Sequence, residues 1–349
     1  MSALTGRPIR AGVIGFGLSG QIFHAPFIAA NDDYSLDAIV TANPERAKQA
    51  STMYPGARIV ATPEELFELD LDLAVIGTPT PTHVELGHAA LDAGLALVMD
   101  KPMAVTERDA IDLIEKAERL GLPLAPFQNR RWDGDFLTVK ELLASGALGT
   151  VHTFESRFDR WKPTVAKAWK GEATTAQGGG VLYDIGPHLI DQALHLFGPV
   201  AEVHAEISTR RPNGAADDDD FVSLLHESGV RSRLWATAWA AQAGPRFHLL
   251  GTDSAYTKWG LDSQEPALSA GARPSDPDYG VEPESAWGVL GLDGALQKVP
   301  AVRGQYDTFY ALLADALLRG APLPVDPRDS ATVIGLIERI HTGNVGGPR

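Results

Sequence analysis

The chain of 349 residues contains no cysteine. This absence excludes disulfide bonds, thiolate catalysis and metal sites with cysteine ligands. Basic residues are also scarce, since 30 Lys and Arg stand against 45 Asp and Glu and give a formal net charge of -15. Because like charges repel, we predict that neither nucleic acid nor an anionic membrane surface is a partner. We predict no metal site of any other kind.

Long apolar segments are missing as well. No apolar run approaches the roughly 20 residues that span a bilayer, and the stretch from Met1 to Pro8 lacks the long apolar core of a signal peptide. We therefore expect a cytoplasmic protein. The remaining composition, 44% hydrophobic and 21% charged, is ordinary for a globular protein, and the length predicts two domains.

Strand and helix signals alternate in the first third of the chain. Such alternation predicts a doubly wound parallel sheet and an α/β fold. Strands are predicted over 9–14, 36–41, 59–61, 73–76 and 95–99, and helices over 21–30, 44–53, 63–68 and 81–93.

The pattern changes after residue 125, where we place the domain boundary. A run of strand signals with few helices between them predicts a second α/β domain, over 126–349, with a large, open and mainly antiparallel sheet. The predicted strands are 151–158, 200–207, 221–225, 231–240 and 247–250, and the predicted helices are 187–197, 306–319 and 328–342. Residues 263–284 read as an extended loop, and the acidic run 217–220 reads as a solvated turn.

A glycine-rich turn lies between the first strand and the first helix. Gly15 allows the tight turn, Gly17 lets backbone N–H groups approach a pyrophosphate, and Gly20 lets helix and strand pack closely. In this setting, Gly-x-Gly-x-x-Gly predicts a Rossmann domain over 1–125 that binds a dinucleotide. The cofactor residues predicted in the turn are Gly15, Phe16, Gly17, Ser19 and Gly20.

The second strand ends without the carboxylate that is typical of NAD-specific sites. An acidic residue about 20 positions after the glycines would bind the ribose 2'-hydroxyl. This chain has Thr41, Ala42 and Asn43 there, followed by Arg46, and Asp37 lies too early in the strand. We predict NADP in preference to NAD, with Thr41, Asn43 and Arg46 as cofactor ligands. The alternative, that Arg46 is only a solvated helix residue, stays open, as does NAD.

Two later strand ends carry further candidates. Ligands of open parallel sheets bind at the carboxyl ends of strands. Thr78, Pro79 and His83 follow one such strand and are predicted to contact the cofactor. Asp100 and Lys101 follow the next strand and are also predicted to contact the cofactor. Lys101 is predicted to be a catalytic residue as well. Pro102 would fix this loop, with a cis bond as one option.

A second group of candidates lies around residues 184–188. His188 is near the start of a helix, whose partial positive charge lowers the pKa of a nearby histidine and favours the neutral imidazole of a general base. Asp184 is predicted to orient that imidazole or to bind a substrate hydroxyl, or else it merely caps the helix. The predicted substrate residues are Arg131, Trp132, Arg160, Trp161, Tyr183 and Asp191. Arginines and tryptophans of this kind also serve as structural anchors.

Taken together, the motifs at 15–20, 78–83, 101–102 and 184–188 resemble the Gfo/Idh/MocA family of oxidoreductases over nearly the whole chain. The segments 15–26, 129–133 and 182–192 look most like its NADP-dependent scyllo-inositol dehydrogenases. This chain departs from the family pattern in having Asp100 where Glu is usual, and Ala42-Asn43 where the relatives carry a Ser-Arg pair.

The resemblance implies catalysis by Lys101, Asp184 and His188, with an open sheet in the second, substrate-binding domain that forms the face of a homodimer or homotetramer. It implies hydride transfer between the nicotinamide and a cyclic polyol or sugar, with scyllo-inositol and 2-keto-inositol as the leading pair. Two alternatives stay open. One is a non-catalytic dinucleotide-binding sugar sensor or co-regulator, and the other is an NAD-dependent glycoside hydrolase of the same fold.

Overall fold

The computed structural model describes residues 6–164 and 173–343. They group into two compact units, one built from 6–129, 265–279 and 305–332 and the other from 130–164, 173–264, 280–304 and 333–343. The chain thus returns twice to the first unit, whereas the sequence predicted a single crossing near residue 125. That predicted boundary stays a prediction about folding units. No helix within the described ranges is both long enough and apolar enough to cross a membrane.

The first unit is built on a parallel sheet. Within the described part of the chain its strand order is β3-β2-β1-β4-β5-β6, the order of a doubly wound dinucleotide-binding sheet, which confirms the prediction. The order reverses between β1 and β4, so the ends of these two strands flank the point where ligands of such sheets bind. The strands are β1 (Ile9–Ile14), β2 (Tyr34–Val40), β3 (Arg58–Val60), β4 (Leu73–Ile76), β5 (Ala96–Met99) and β6 (Leu124–Pro126).

Helices connect these strands, and their capping residues set where they begin. Asn43 accepts a hydrogen bond from the N–H of Arg46. Thr62 and Thr106 cap the helices that begin at Pro63 and Glu107 in the same way, with the N–H groups of Glu65 and Asp109. A single π-helical turn, Gly20–His24, leads into the first α-helix. The α-helices of this stretch are α1 (Ala25–Ala29), α2 (Pro44–Met53), α3 (Pro63–Phe67), α4 (His83–Asp92) and α5 (Glu107–Leu120).

An aromatic cluster holds the late segment 305–332 in the first unit. The ring of Tyr310 stacks on Phe27 with 6.5 Å between centroids, and Phe309 packs edge-on against Phe127 at 4.8 Å. All four side chains are buried. Burial of rings of this size explains why residues distant in sequence complete the core of this unit.

The second unit contains a large open sheet. In the described residues its order is β14-β13-β12-β11-β7-β10-β9-β8, and β7 and β10 pair in parallel while the other neighbours pair antiparallel. This confirms the predicted mainly antiparallel sheet. The strands are β7 (Val151–Asp159), β8 (Val200–Ser208), β9 (Asp219–His226), β10 (Arg231–Thr237), β11 (Phe247–Gly251), β12 (Ala255–Lys258), β13 (Gly288–Leu292) and β14 (Ala295–Val299).

Further α-helices within the described ranges follow the first sheet along the chain. Helix α9 lies inside the stretch predicted to be an extended loop, so that prediction was wrong at its start. These helices are α6 (Gly134–Ser145), α7 (Val181–Asp184), α8 (Gly186–Phe197), α9 (Gln264–Ser269), α10 (Asp307–Arg319) and α11 (Pro327–His341).

The acidic run 217–220 is not a solvated turn, so this prediction was wrong. Asp217, Asp218 and Asp220 are at most 5% exposed. The carboxylate of Asp218 accepts hydrogen bonds from the backbone N–H groups of Arg210 and Arg211 and from the indole N–H of Trp239. Donors of this kind offset the cost of removing a carboxylate from water.

Candidate functional site

The glycine turn after β1 has the shape that a dinucleotide requires. Gly15 has a φ of +96°, a left-handed conformation that favours glycine. A Cβ atom placed on Gly20 would lie 2.1 Å from the carbonyl oxygen of Gly15, so only glycine fits there. At Gly17 the nearest atom would be Nη1 of Arg46 at 4.0 Å, which leaves open space beside the backbone. The turn therefore has the tight bend and the open approach that fit a pyrophosphate.

The side chains of Phe16 and Ser19, both predicted to contact the cofactor, make contacts within the protein. The ring of Phe16 is buried and packs edge-on against Tyr54 with 6.3 Å between centroids. The hydroxyl group of Ser19 donates a hydrogen bond to Asp100 at 2.5 Å. These contacts leave the backbone of Phe16 as the part that can reach a ligand, and they tie the turn to the end of β5.

An exposed arginine follows the end of β2. Asn43 uses its side-chain oxygen to accept a hydrogen bond from the N–H of Arg46 at 3.0 Å, and its own N–H faces the hydroxyl of Thr41 at 3.3 Å. Arg46 is exposed, and its guanidinium group reaches toward the open space at Gly17. A charge in this position can attract a phosphate group of a bound dinucleotide.

The side chain of His83 holds the loop after β4 in place. This buried ring faces two carbonyl oxygens, that of Thr78 at 2.8 Å from Nε2 and that of Pro102 at 2.9 Å from Nδ1. Burial lowers the pKa of His83, although the nearby Asp100 opposes this effect. The ring thus lies between the carbonyl oxygens of the β4 loop and the β5 loop and supports both ligand loops. Thr78 is half-buried and Pro79 is exposed beside it.

Lys101 follows β5, and its peptide bond to Pro102 is cis. The carboxylate of Asp100 accepts a hydrogen bond from the N–H of Lys101 at 2.7 Å, and Nε2 of His24 lies 3.9 Å from it. Burial raises the pKa of Asp100, but His24 and the hydroxyl of Ser19 outweigh this effect and bring it to about 2. The shorter Asp side chain thus remains a charged carboxylate that orders the backbone at Lys101.

Asp184 and His188 lie close together in the second unit. Asp184 is the exposed last residue of α7, whereas His188 is buried in the first turn of α8, 5% exposed. Ile185 is the N-cap residue of α8, and Asp184 directly precedes it. The imidazole of His188 lies nearly parallel to the ring of Phe158, with 6.4 Å between centroids. The positive end of the helix dipole favours a neutral imidazole here.

Two of the predicted substrate residues bind each other. Nε and Nη2 of Arg131 donate hydrogen bonds to the two carboxylate oxygens of Asp191, at 2.8 and 2.7 Å, and both residues are buried. A buried bidentate pair of this kind is costly to break, because either partner alone would be an uncompensated charge. Both side chains therefore hold α8 in place within this unit.

The other four predicted substrate residues differ in exposure. Trp132 and Tyr183 are buried, and Tyr183 stacks on His341 with 5.2 Å between centroids. Arg160 is half-buried, with its guanidinium group 5.8 Å from the ring of Phe158. Trp161 is 56% exposed. Exposed indole surface makes Trp161 the side chain of this group best placed to offer an apolar face to a sugar ring.

His24 and Tyr310 were not predicted to belong to the site. Nδ1 of His24 lies 2.7 Å from the hydroxyl of Tyr310, both side chains are fully buried, and the other ring nitrogen faces Asp100. The position of His24, one helical turn after Gly20, was a local signal that could have been used. Tyr310 lies 286 residues further along the chain, so no local pattern indicates this pair.

Two family models match the chain. The model described as an oxidoreductase family with an NAD-binding Rossmann fold matches residues 9–127, and the model of the GFO/IDH/MocA C-terminal domain matches residues 136–257. Together these matches extend over the glycine turn, Lys101 and the segment that carries Asp184 and His188.

Three similar proteins cover almost the whole chain. The scyllo-inositol 2-dehydrogenase (NADP(+)) IolW of Bacillus subtilis (strain 168) is 36% identical over 95% of this chain and 92% of its own. The uncharacterised oxidoreductase YdgJ of Escherichia coli (strain K12) is 39% identical over 95% and 94%. Among solved structures, yvaA of Bacillus subtilis superimposes with a TM-score of 0.89 at 34% identity, covering 96% of this chain and 95% of its own.

Proposed function

We propose that this protein, which belongs to the Gfo/Idh/MocA family of oxidoreductases, transfers a hydride between NADP(H) and a cyclic polyol or its keto form, with scyllo-inositol as the preferred substrate. Its enzyme class, an NAD(P)-binding oxidoreductase, follows from the family. The substrate rests on one observation, the 36% identity to a scyllo-inositol 2-dehydrogenase over 95% of this chain.

The cofactor proposal is supported by the end of β2 and the glycine turn. The open space beside Gly17 accommodates a pyrophosphate, and the exposed Arg46 supplies a cation for the 2'-phosphate that distinguishes NADP from NAD. No carboxylate follows β2 in the sequence at the position where it would repel that phosphate. When bound, the nicotinamide accepts or donates the hydride.

We assign the chemistry to Lys101, Asp184 and His188. Lys101 binds and polarises the hydroxyl oxygen that is oxidised, and the imidazole of His188 takes its proton. Asp184 orients that imidazole or binds a substrate hydroxyl. This assignment is supported by the position of Lys101 at a strand end and by the position of His188 in the first turn of α8.

The substrate test is a steady-state absorbance assay at 340 nm with NADP or NAD and a panel of inositols and aldoses. Reduction of NADP with scyllo-inositol, faster than with any other member of the panel, is the expected result. A different preferred polyol would overturn the substrate. Absence of turnover across the panel with cofactor bound would favour the sensor, and a cofactor that stays bound through purification would favour the glycoside hydrolase.

The role assignment predicts the behaviour of two variants. Lys101→Ala and His188→Ala should each lower kcat by roughly 10²- to 10⁴-fold, the range of general acid–base groups, with the Kd for NADP nearly unchanged. The exposed Lys298 and His152 offer matched controls, Lys298→Ala and His152→Ala, which should keep wild-type kcat. Near-normal turnover in either of the first two variants would refute the assignment.

We also propose that copies of the chain associate in the cytoplasm as a homodimer or homotetramer through the open sheet of the second unit. Support comes from exposed apolar side chains on the outer hairpin of this sheet, where Leu292 of β13 is 63% exposed on one face and Leu296 of β14 is 54% exposed on the other. Light scattering on the purified protein gives the mass that distinguishes these states.

A further inference from the structure

Asp217 holds the beginning of helix α7. Its main-chain oxygen accepts a hydrogen bond from the N–H of Val181 at 2.9 Å, and its carboxylate accepts one from the N–H of Leu182 at 2.7 Å. The fit is close, because a Cβ atom on Gly180 would lie 2.3 Å from Oδ1 of Asp217. Two successive N–H groups at the start of α7 are thus bound by one buried residue.

The same carboxylate is held from another side by the last helix. Nε2 of His341, in α11, lies 2.8 Å from Oδ1 of Asp217. The imidazole of His341 also stacks on the ring of Tyr183, with an interplanar angle of 13°. Asp217 and Tyr183 therefore attach α7 to α11 at two points.

Asp220 faces Asp217 from the start of β9. Burial raises the pKa of Asp220, and the neighbouring Asp217 raises it further, so Asp220 keeps its proton at neutral pH. Burial also raises the pKa of Asp217, but the hydrogen bonds with His341 and with the N–H of Leu182 oppose this effect, and the pKa of Asp217 is lowered. A charged Asp217 therefore lies beside a protonated Asp220.

A short chain of hydrogen bonds runs from this anchor to the residues assigned to catalysis. The N–H of Asp184 donates to the carbonyl of Gly180 at 3.1 Å, and that of Ile185 donates to Val181 at 2.8 Å. The N–H of His188 then donates to the carbonyl of Ile185 at 3.1 Å. The backbone positions of Asp184 and His188 therefore depend on where α7 begins.

We propose that Asp217 is a positioning residue that fixes the α7–α8 segment, and with it Asp184 and His188, for the hydride-transfer reaction. The proposal rests on the proposed function for the roles of Asp184 and His188. A displacement of about 1 Å in a reacting group can cost on the order of 10²-fold in rate. Loss of the anchor should therefore lower kcat more than it changes the binding of either substrate.

The test compares three variants in the 340 nm assay. Asp217→Ala removes the carboxylate and should lower kcat about 10- to 100-fold, with the KM for NADP within about twofold of wild type. Asp217→Asn keeps an oxygen acceptor for Leu182 and should recover at least part of that loss. Asp219→Asn is the matched control, because Asp219 belongs to the same run but is bound to Arg210, and it should keep wild-type kcat.

Hydrogen exchange of residues 181–189, followed by mass spectrometry, gives a second measurement. Exchange should rise in Asp217→Ala and stay at the wild-type rate in Asp219→Asn. A wild-type kcat in Asp217→Ala, or an equal fall in kcat for Asp217→Ala and Asp219→Asn, would overturn the proposal. If Asp217→Ala does not fold, His341→Gln, which alters the contact to Oδ1 of Asp217, must show the fall in kcat instead.

Failure of the proposed function has a different signature. In that case the wild-type protein turns over no polyol in the panel, whereas here the wild type is active and only the variant is impaired. Exchange at residues 181–189 then decides the anchoring by itself. Unchanged exchange in Asp217→Ala would refute it even for a protein with another activity.

Discussion

Replacement of either of two glycines in the same turn should have a different effect. Gly17→Ala should weaken cofactor binding, whereas Gly20→Ala should lower the stability of the protein. Gly17 and Gly20 are separated by three positions, and each gains a single methyl group in the Gly→Ala variant. The surroundings of the added carbon differ: at Gly17 the nearest atom is 4.0 Å away, whereas at Gly20 the carbonyl oxygen of Gly15 is 2.1 Å away. Steric overlap with the protein itself is therefore confined to Gly20→Ala.

The magnitudes follow from these distances. Overpacking costs roughly 1–3 kcal/mol, and the clashing atom at Gly20 is backbone, which no side-chain rotation can move away. At about 2–4 °C of Tm per kcal/mol, Gly20→Ala should lose roughly 2–12 °C. Gly17 is not among the glycines with a left-handed φ, so alanine there should keep stability or add about 0.4–1 kcal/mol. Its methyl group would instead occupy the space beside the backbone that a pyrophosphate approaches.

Differential scanning fluorimetry and titration with NADPH separate the two effects, and neither assay needs the substrate. We expect Gly17→Ala to keep the wild-type Tm and to lose at least about tenfold in affinity, or about 1.4 kcal/mol. Gly20→Ala should show the lower Tm. The assignment of the turn to the dinucleotide would be refuted if folded Gly17→Ala bound NADPH as tightly as the wild type. An unchanged Tm in Gly20→Ala would refute the steric argument.

Two further predictions concern Arg46 and Asp220. Arg46→Ala should raise the Kd for NADP about tenfold or more and leave the Kd for NAD nearly unchanged, because it removes the cation assigned to the 2'-phosphate. An equal loss of affinity for both cofactors in calorimetric titrations would contradict that assignment. Asp220→Asn should flatten the dependence of Tm on pH between about pH 5 and pH 8. Because the pKa of Asp220 is raised in the folded protein, the folded state holds a proton that the unfolded chain releases, so the free energy of unfolding falls as pH rises through this window. Asparagine has no such proton, and parallel Tm curves for wild type and variant would exclude a protonated Asp220.

The elements with strong local signals were predictable from the sequence. The structure has β1 at Ile9–Ile14, α2 at Pro44–Met53 and β4 at Leu73–Ile76, with the predicted bounds. The two strands are short apolar runs, and Asn43 with Pro44 marks the start of α2 by a cap followed by proline. Local rules suffice where burial and capping act within a few residues.

Other elements were missed for different reasons. β14 is mostly exposed and β13 is mostly half-buried, so neither alternates clearly between apolar and polar positions, and their pairing is set by tertiary contacts. Helix α5 had usable signals, since Thr106 caps its start and Gly121 ends it in a left-handed conformation. A capping threonine and a terminal glycine of this kind are sequence signals, so α5 could have been predicted from local rules.

Pairings between distant residues could not be predicted from one sequence. Asp217 contacts His341, which lies 124 positions further along the chain. Without knowledge of that contact, the charge of the acidic run predicted that it is exposed. What makes burial possible is a set of donors that comes from elsewhere in the chain, including the N–H of Leu182. Charge blocks favour solvent only when such donors are absent.

The same consideration narrows the choice of residues that select the substrate. Arg131 and Asp191 satisfy each other in a buried pair, and Tyr183 is buried against His341. Groups that are already paired and out of water gain little from binding a polyol, because a new hydrogen bond would have to replace an existing one. We therefore expect substrate selectivity to depend more on the exposed Trp161 and the half-buried Arg160, whose solvent-accessible surface a ligand can still cover.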